Sequence, residues 1–419
     1  MSQLFETAEI IAVGSELLTA HRIDTNSLFL TGVLNEIGLT VRMKHVVGDS
    51  PADLRMVVRA ALSRSDVIIV TGGLGPTDDD LTRNAVAEEL GSPLIEMPEI
   101  LARISEQFSR RGVQMPAINR RQAQVISGAR WLANANGTAP GQPIETEGKL
   151  VVLLPGPPRE LQPMFEADVV PAIVTRTGGR RLRRRVLKTT GRSESQIEEL
   201  AQPIYSQFVR QVPAIDTTIL ASPGLVELHL SCSGSDEQEL DAALDVGVAQ
   251  LQRAIGDVAF SVDGRPIEEV VGRALLDRGW RVAAAESCTG GLLMQRLTDV
   301  PGSSAWVQGG VVAYANDIKI EALGVSPHDI ELHGAVSVPV ARAMAEGVRA
   351  RFGADIGVSI TGIAGPTGGS AEKPVGTVVI AVFSDRFDVR EFRFPGDRTM
   401  VRSFSVSAAL DMVRRHLTA

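Results

Sequence analysis

The chain has 419 residues, 44% of them hydrophobic and 22% charged, and a formal net charge of −8. That length exceeds one ordinary core and predicts two or three domains. No apolar run reaches the roughly 18 residues of a membrane span, and the acidic balance argues against nucleic acid as the main partner. Two distant cysteines, Cys232 and Cys288, exclude a disulfide framework and a CxxC metal pair. The opening segment carries Glu6 and Glu9 and no basic run, so it reads as a first strand and not a signal peptide, and a cytoplasmic globular protein is expected.

In chain order, AEIIAVG (8–14) is an apolar strand ending in glycine, and NSLFLTGVLNEIG (26–38) has helical spacing with a glycine stop. LTVRMKHVVG (39–48) is a strand. SPADLRMVVRAALSRS (50–65) opens with serine and proline, a good N-cap and first-turn pair. DVIIVTGGLGP (66–76) and KLVVLLPGPPREL (149–161) are buried strands that break into glycine- and proline-rich loops. Strands alternating with helices predict a parallel α/β sheet, with ligands at the carboxyl ends of its strands.

From Arg176 to about Ser261 the texture changes. RTGGRRLRRRVLK (176–188) reads as a solvated linker and edge strand, since basic side chains blunt sheet edges. SESQIEELAQPIYSQF is a capped helix, and TTILASPGLVELHLSCSG is a hairpin around Ser222-Pro223-Gly224. After a linker at Asp263–Pro266, a helix (267–280), the strand RVAAAES, a strand over 306–316, a helix over 338–352, a strand over 354–366, two further strands and a final helix complete a second α/β unit. The fold class expected is α/β: two three-layer domains with mainly parallel sheets, 1–172 and 263–419, joined by a small α+β module, 173–262.

Two loops carry chemistry. Thr71-Gly72-Gly73-Leu74-Gly75-Pro76-Thr77-Asp78-Asp79-Asp80 follows a strand and precedes a helix. Its glycines let backbone N–H groups approach an anion. The aspartates would repel a bare phosphate but suit a divalent cation bridging them to one; the structural alternative is an acidic N-cap and first helical turn. The second loop is Ala285-Glu286-Ser287-Cys288-Thr289-Gly290-Gly291, where a hydroxyl and a thiol precede two glycines and a helix. As structure alone it is a capped strand-to-helix turn. As a site it offers two nucleophiles. Strand alternation sends Ser287 and Cys288 to opposite faces, and free cysteine favours the interior, which puts Ser287 in the pocket. Lys319 is the candidate base, but its pKa must fall about three units from ~10.4, roughly 4 kcal/mol, through burial or neighbouring positive charge. His333 is the alternative base, and a surface lysine is the plain reading of Lys319. Tyr314 either passes a proton or fills the core, while Thr361, Arg398 and Arg402 stand at a strand end and a helix start where they can share the pocket.

TGGLGPTDDD, with GSELL (14–18), RIDTNS (22–27), NGTAPG (136–141) and PGPPREL (155–161), resembles the molybdopterin-binding fold of molybdenum-cofactor enzymes, in the version at the front of the competence/damage-inducible protein A (CinA) family. The resemblance implies a metal-dependent ADP-ribose pyrophosphatase. Its motifs fall on Glu16, Asn26, Thr71, Gly72, Gly73, Gly75, Asn136, Thr138, Pro155, Gly156 and Glu160 for substrate, and on Asp24, Asp79 and Asp80 for a divalent cation (Mg²⁺, Mn²⁺ or Co²⁺). AESCTGG, GGVVAYAN with its lysine, SITGIAGPTGG and GDRTMVR are similar to the nicotinamide-mononucleotide amidohydrolase domain at the end of the same family. There the resemblance implies that Ser287 attacks the carboxamide, Lys319 is the base and Tyr314 assists, with no cofactor. Thr289, Gly290 and Gly291 would hold the oxyanion and phosphate, and Thr361, Gly362 and Arg398 or Arg402 the substrate. LKTTGRSES and SPGLVELHLS match the family's middle module, so the likeness spans the chain. The small-molecule partners implied are nicotinamide mononucleotide and ADP-ribose, and the assembly implied is a homodimer. Two other readings remain: a nucleotide- or pterin-binding regulatory module without turnover at the N-terminus, and a DNA-uptake factor, which the basic run favours and the acidity and few aromatics oppose.

Overall fold

The computed structural model describes residues 4–418; residues 1–3 and 419, the outer ends of the first and last domains expected from sequence, lie outside the described residues. The chain forms two compact units, Met1–Arg183 with Cys232–Asp241, and Arg184–Ser231 with Ala242–Ala419. The stretch 173–262 is therefore shared between them.

The first unit runs β1 (Thr7–Val13), α1 (Thr25–Glu36), β2 (Thr40–Val47), α2 (Pro51–Arg64), β3 (Val67–Thr71), α3 (Thr82–Glu89), β4 (Leu94–Glu96), α4 (Pro98–Arg110), β5 (Gln124–Ile126), β6 (Gln142–Thr146), β7 (Lys149–Leu154), α5 (Pro158–Met164) and α6 (Val170–Val174). Its sheet has the order β2-β1-β3-β7-β6, parallel except for the β6–β7 pair. Alternation explains why its strands are continuous apolar runs. Ile10, Val67, Ile69, Val152 and Leu154 face one cluster with Leu30 and Leu34 of α1, while Ile11, Ile68, Val70, Val151 and Leu153 face another with Leu54 and Val58 of α2. Both faces are covered, which makes three layers.

The remainder of the chain runs β8 (Arg181–Thr190), α7 (Glu194–Tyr205), β9 (Asp216–Ser222), β10 (Leu225–Gly234), α8 (Glu237–Ile255), β11 (Ala259–Ser261), α9 (Ile267–Arg278), β12 (Val282–Glu286), α10 (Leu292–Thr298), β13 (Val307–Val312), α11 (Asn316–Leu323), α12 (Pro327–His333), α13 (Val338–Phe352), β14 (Ile356–Gly362), β15 (Thr377–Phe383), β16 (Phe387–Arg393) and α14 (Arg398–Thr418). The sheet that carries the second loop has the order β13-β12-β14-β15-β16, parallel on both sides of β12 and antiparallel beyond β14. Val282 and Ala284 of β12 pack towards α9, α10 and α14, and Ala283 and Ala285 towards α13.

A smaller sheet, β11-β8-β10-β9, contains the hairpin expected at Pro223-Gly224, and α7 begins with a full capping box on Ser193 and Gln196. The basic run corrects one expectation. In the strand order β8 is an inner strand, although β11 covers only Lys188 and Thr189. Several of its charges are paired locally: Arg183 with Asp241, Arg185 with Asp245 and Lys188 with Glu227. Among the described residues no helix is long and apolar enough to cross a membrane.

One buried charge ties the first sheet to its helices. The Glu9 carboxylate on β1 is fully buried and accepts from Arg64 Nε (2.7 Å) and Nη2 (2.8 Å) and from Ser65 Oγ (2.8 Å), with His45 Nε2 at 3.0 Å. Burial alone would raise its pKa, but the hydrogen bonds from Arg64, His45 and Ser65 outweigh that and bring it down to about 2. A depressed carboxylate stabilises the fold above its unfolded pKa, and that contribution is lost as pH falls through the folded value. The Glu9→Gln variant is therefore expected to be less stable than the parent by on the order of 3 kcal/mol at pH 7, with the gap narrowing from pH 5 to pH 2.5. Urea titrations across that range check it; a gap independent of pH would contradict it.

Candidate functional site

In the first unit, three neighbouring parallel strands end together, and the loops after β1, β3 and β7 line a cavity of about 350 Å³. Of the residues expected there, Glu16, Gly72, Gly73, Gly75, Asp79, Asp80, Thr138, Pro155, Gly156 and Glu160 line it, joined by Asp49 and Gln122, which the motif reading missed. Gly72 must be glycine: its φ is 93°, and a Cβ there would lie 2.2 Å from the Val13 carbonyl oxygen. The other expected residues build the loops from behind. Thr71 is buried at the end of β3, Asn26 Nδ2 donates to Gly156 O (2.7 Å), and Asn136 Nδ2 donates to Arg159 O (2.8 Å).

The acidic run does not take the capping role that was its structural alternative. None of its aspartates caps α3, whose N-cap is Leu81. Asp80 instead folds back on the loop, its Oδ1 accepting from Gly75 N (2.8 Å) and its Oδ2 from Thr77 N (2.9 Å) and the Thr77 hydroxyl. Beneath it lies the buried Arg83 guanidinium, which donates to the carbonyls of Leu74 (2.6 Å) and Gly75 (2.9 Å). Burial pulls Arg83 down to about 10 against the Asp80 charge, so it stays protonated at neutral pH. Asp79 is exposed to solvent, and the Thr77 hydroxyl holds its carboxyl below the usual range. Asp24, expected as a metal ligand, is not a lining residue. It caps α1, accepting from Ser27 N at 3.0 Å. Among the described residues no three His, Cys, Asp or Glu side chains form a ready-made metal cage.

In the second unit the corresponding turn lies between β12 and α10, and its organiser is Glu286. This carboxylate is fully buried and accepts from the N–H groups of Gly291 (3.0 Å), Leu293 (3.0 Å) and Met294 (2.9 Å). Gly290 N donates to Ser287 O (3.1 Å) and Leu292 N to Thr289 O (3.3 Å). The helix start is thus consumed by the protein, which corrects the expectation that Gly290 and Gly291 N–H groups cradle an oxyanion or phosphate. In this turn the N–H groups of Cys288 and Thr289 are the two with no acceptor assigned among the described residues.

Ser287 follows β12 directly and is pinned through its own N–H to Ile360 O (2.9 Å). β12 ends at Glu286, so strand alternation does not reach Ser287 and Cys288, and both are buried. The Cys288 thiol belongs to the apolar cluster between the sheet and α14, and burial pushes it up to about 11, leaving it protonated at neutral pH. It sits against Gly362, where a Cβ would come within 3.1 Å of its Sγ. Lys319 is fully buried, not a surface lysine, and Nζ donates to the carbonyls of Ala313 (2.9 Å) and Tyr314 (3.2 Å). Burial lowers its pKa. His333 is exposed at the end of α12.

Thr361 Oγ1 donates to Ala335 O (2.8 Å). Arg402 Nη2 donates to Thr289 O (2.6 Å), while Arg402 Nε and Thr289 Oγ1 are buried without a hydrogen-bond partner among the described residues. Tyr314 is neither core filling nor enclosed: it is 59% exposed, and its hydroxyl accepts from Arg398 Nη2 (2.8 Å), whose Nη1 reaches Gly365 O (2.9 Å).

Fold and sites together define a two-unit α/β protein with a glycine-rich strand-end loop in each unit. Residues 9–175 match the family described as "Probable molybdopterin binding domain", and residues 264–417 match the "CinA C-terminal domain". A CinA-like protein of Koribacter versatilis is 48% identical over 98% of this chain and 99% of its own length. One of Acidobacterium capsulatum is 45% identical over the same shares. A solved structure titled competence/damage inducible protein CihA, from Agrobacterium tumefaciens, is 42% identical and covers 38% of this chain and 99% of its own, with a TM-score of 0.35. The chain belongs to the CinA-like family.

Removing the Glu286 carboxylate strands three interior N–H groups. Glu286→Ala is expected to lower stability by about 3 kcal/mol, with Glu286→Gln intermediate because it keeps one acceptor. Urea unfolding followed by tryptophan fluorescence (Trp280 and Trp306 lie in this unit) is the measurement, and a loss below about 0.5 kcal/mol would show that the carboxylate does not hold the turn.

Proposed function

We propose that the second unit hydrolyses the carboxamide of nicotinamide mononucleotide to nicotinic acid mononucleotide and ammonia, with Ser287 as nucleophile and Lys319 as base. The observation that carries this reading is the pair of unsatisfied interior groups, Thr289 Oγ1 in the turn that holds Ser287 and Nε of Arg402, which reaches that turn from α14. Buried polar atoms are ordinarily paired, and a hydroxyl beside a guanidinium N–H is suited to a phosphate. The Ser287 oxygen attacks the carboxamide carbon and its proton passes to neutral Lys319. The C–N bond then breaks, ammonia leaving with that proton, and water cleaves the resulting ester to release the acid and the serine hydroxyl. The free N–H groups of Cys288 and Thr289 serve the oxyanion. Tyr314 and Arg398 act at the rim as substrate contacts, with Thr361 and Gly362 forming the wall.

Ammonia release from nicotinamide mononucleotide tests this. Ser287→Ala and Lys319→Met are each expected to lower the rate at least ~1000-fold, and Cys288→Ala to leave it within about threefold. Because the neutral amine is the base and burial lowers its pKa, the rate rises with pH, with a midpoint below the ordinary lysine range. Loss confined to Cys288→Ala would sink the serine mechanism, and no ammonia from the parent protein would sink the amidohydrolase.

For the first unit the proposal is metal-dependent hydrolysis of ADP-ribose to AMP and ribose 5-phosphate. The donor chemistry fits: the carboxylates of Glu16, Asp79, Asp80 and Glu160 line one cavity with the glycine loop, and ions such as Mg²⁺ commonly bind through one or two carboxylates plus substrate phosphates, not in an all-protein cage. Asp79 and Asp80 would hold the ion, which when bound would neutralise and polarise a pyrophosphate. The glycine loop brings backbone close to the phosphates. The second reading, binding of a nucleotide or pterin without turnover, draws on the commitment of Asp80 to its own loop. AMP formation with Mn²⁺ decides between them: it is expected to vanish with EDTA and to fall at least ~100-fold in Asp79→Asn. Activity surviving both removes the metal from the proposal, and binding with no AMP selects the second reading. The same proposal takes the protein as a cytoplasmic homodimer acting on small nucleotides.

A further inference from the structure

Within the second unit, away from the Ser287 turn, a cavity of about 810 Å³ lies between the β9–β10 hairpin with the start of α7 on one side and β16 with α14 on the other. That volume is within the range of small-molecule sites. One wall is aromatic. Phe392 and Phe394 stack with centroids 5.1 Å apart and planes 13° apart, and Phe394 continues onto Phe404 at 5.7 Å and 13°. All three rings are only partly buried, so the stack presents surface to the cavity.

The charges at this cavity are unequal. Four arginines line it, against the carboxylates of Glu194, Asp257 and Asp411. Arg415 is committed to Asp411 and Asp257, and Arg390 to Asp388. Arg192 and Arg393 are exposed, and no ion pair is assigned to either among the described residues. The cavity thus combines a stack of phenyl rings with two guanidiniums free of assigned ion pairs, while Asp257 and Asp411 are already neutralised and Glu194 is the one lining carboxylate with no ion pair assigned among the described residues. Guanidinium groups prefer phosphate and carboxylate partners, and stacking on phenyl rings selects planar aromatic systems without regard to their edges.

We propose that this cavity is a second ligand site, taking a nucleoside monophosphate whose base stacks on the Phe392–Phe394–Phe404 wall and whose phosphate is drawn to Arg192 and Arg393. It requires neither the Ser287 chemistry nor the glycine loop of the first unit. A single-stranded nucleic acid shares the recognition elements, but the recessed volume and the formal charge of −8 favour a small ligand.

The test is photolabelling of the full chain with 8-azidoadenosine 5′-monophosphate and peptide mapping. Label is expected between Arg390 and Met412 or around Arg192, with AMP protecting at a concentration at least tenfold lower than adenosine. The double variant Arg192→Ala/Arg393→Ala changes only exposed side chains. It is expected to raise the half-protecting AMP concentration at least tenfold with an unchanged melting temperature, and Phe394→Leu to lower labelling at that site. Label confined to the glycine loop of the first unit or to the turn around Thr289 would overturn the proposal. So would protection unchanged in the double variant, or oligothymidylate protecting at lower concentration than AMP.

Discussion

Glu286 sets the architecture of the second unit. A carboxylate without solvent, at the end of a central strand, has to be satisfied by donors, and the first turn of α10 supplies them. The interaction fixes the angle between β12 and α10 and so the position of Ser287 immediately after the strand. It also uses the N–H groups that would otherwise make this helix start an anion site. Whatever recognises a phosphate here must come from elsewhere, and the side chains left unsatisfied, Thr289 and Arg402, belong to the turn and to α14. One buried charge therefore both presents the serine and leaves the unsatisfied side chains in the turn and on α14.

The first unit meets the same problem with the same chemistry. A glycine-rich loop has little side-chain packing to hold it, and its exposed N–H groups need acceptors. Asp80 provides them from one side, and Arg83 binds the loop carbonyls from the other. An interior guanidinium is tolerable because it satisfies two carbonyls and has the Asp80 charge nearby. In both units an acidic side chain accepts the backbone N–H groups that shape a glycine-rich loop.

Much of the fold was legible from sequence because it rests on periodicity. Strands buried on both faces, such as Val67–Thr71 and Lys149–Leu154, are continuous apolar runs, and α7 announces itself through Ser193 and Gln196. The hairpin at Pro223-Gly224 follows from turn chemistry. What escaped depends on long-range partners. The inner place of β8 is set by a short strand some seventy residues later. The roles of Glu286, Asp80 and Arg83 depend on which N–H or C=O groups the turn leaves unpaired, a property of three-dimensional closure. The capping role of Asp24 escaped for a related reason: a capping aspartate and a ligating aspartate look alike until the loops are placed. Alternation failed at Ser287 and Cys288 because the strand stops one residue earlier.

Burial of Lys319 carries a consequence for evolution of the fold. Its ammonium group is enclosed by backbone carbonyls and apolar neighbours, and the depressed pKa means that the folded state binds its proton more weakly than the unfolded chain. Stability linked to this group therefore increases with pH only towards the ordinary lysine range, and at lower pH the fold is weaker than it would be with an uncharged side chain there. An apolar residue of similar length would relieve that penalty, so selection for stability alone drives this position away from lysine. Within α11, then, the buried ammonium is a standing cost to the fold, offset only in part by the two carbonyls it meets.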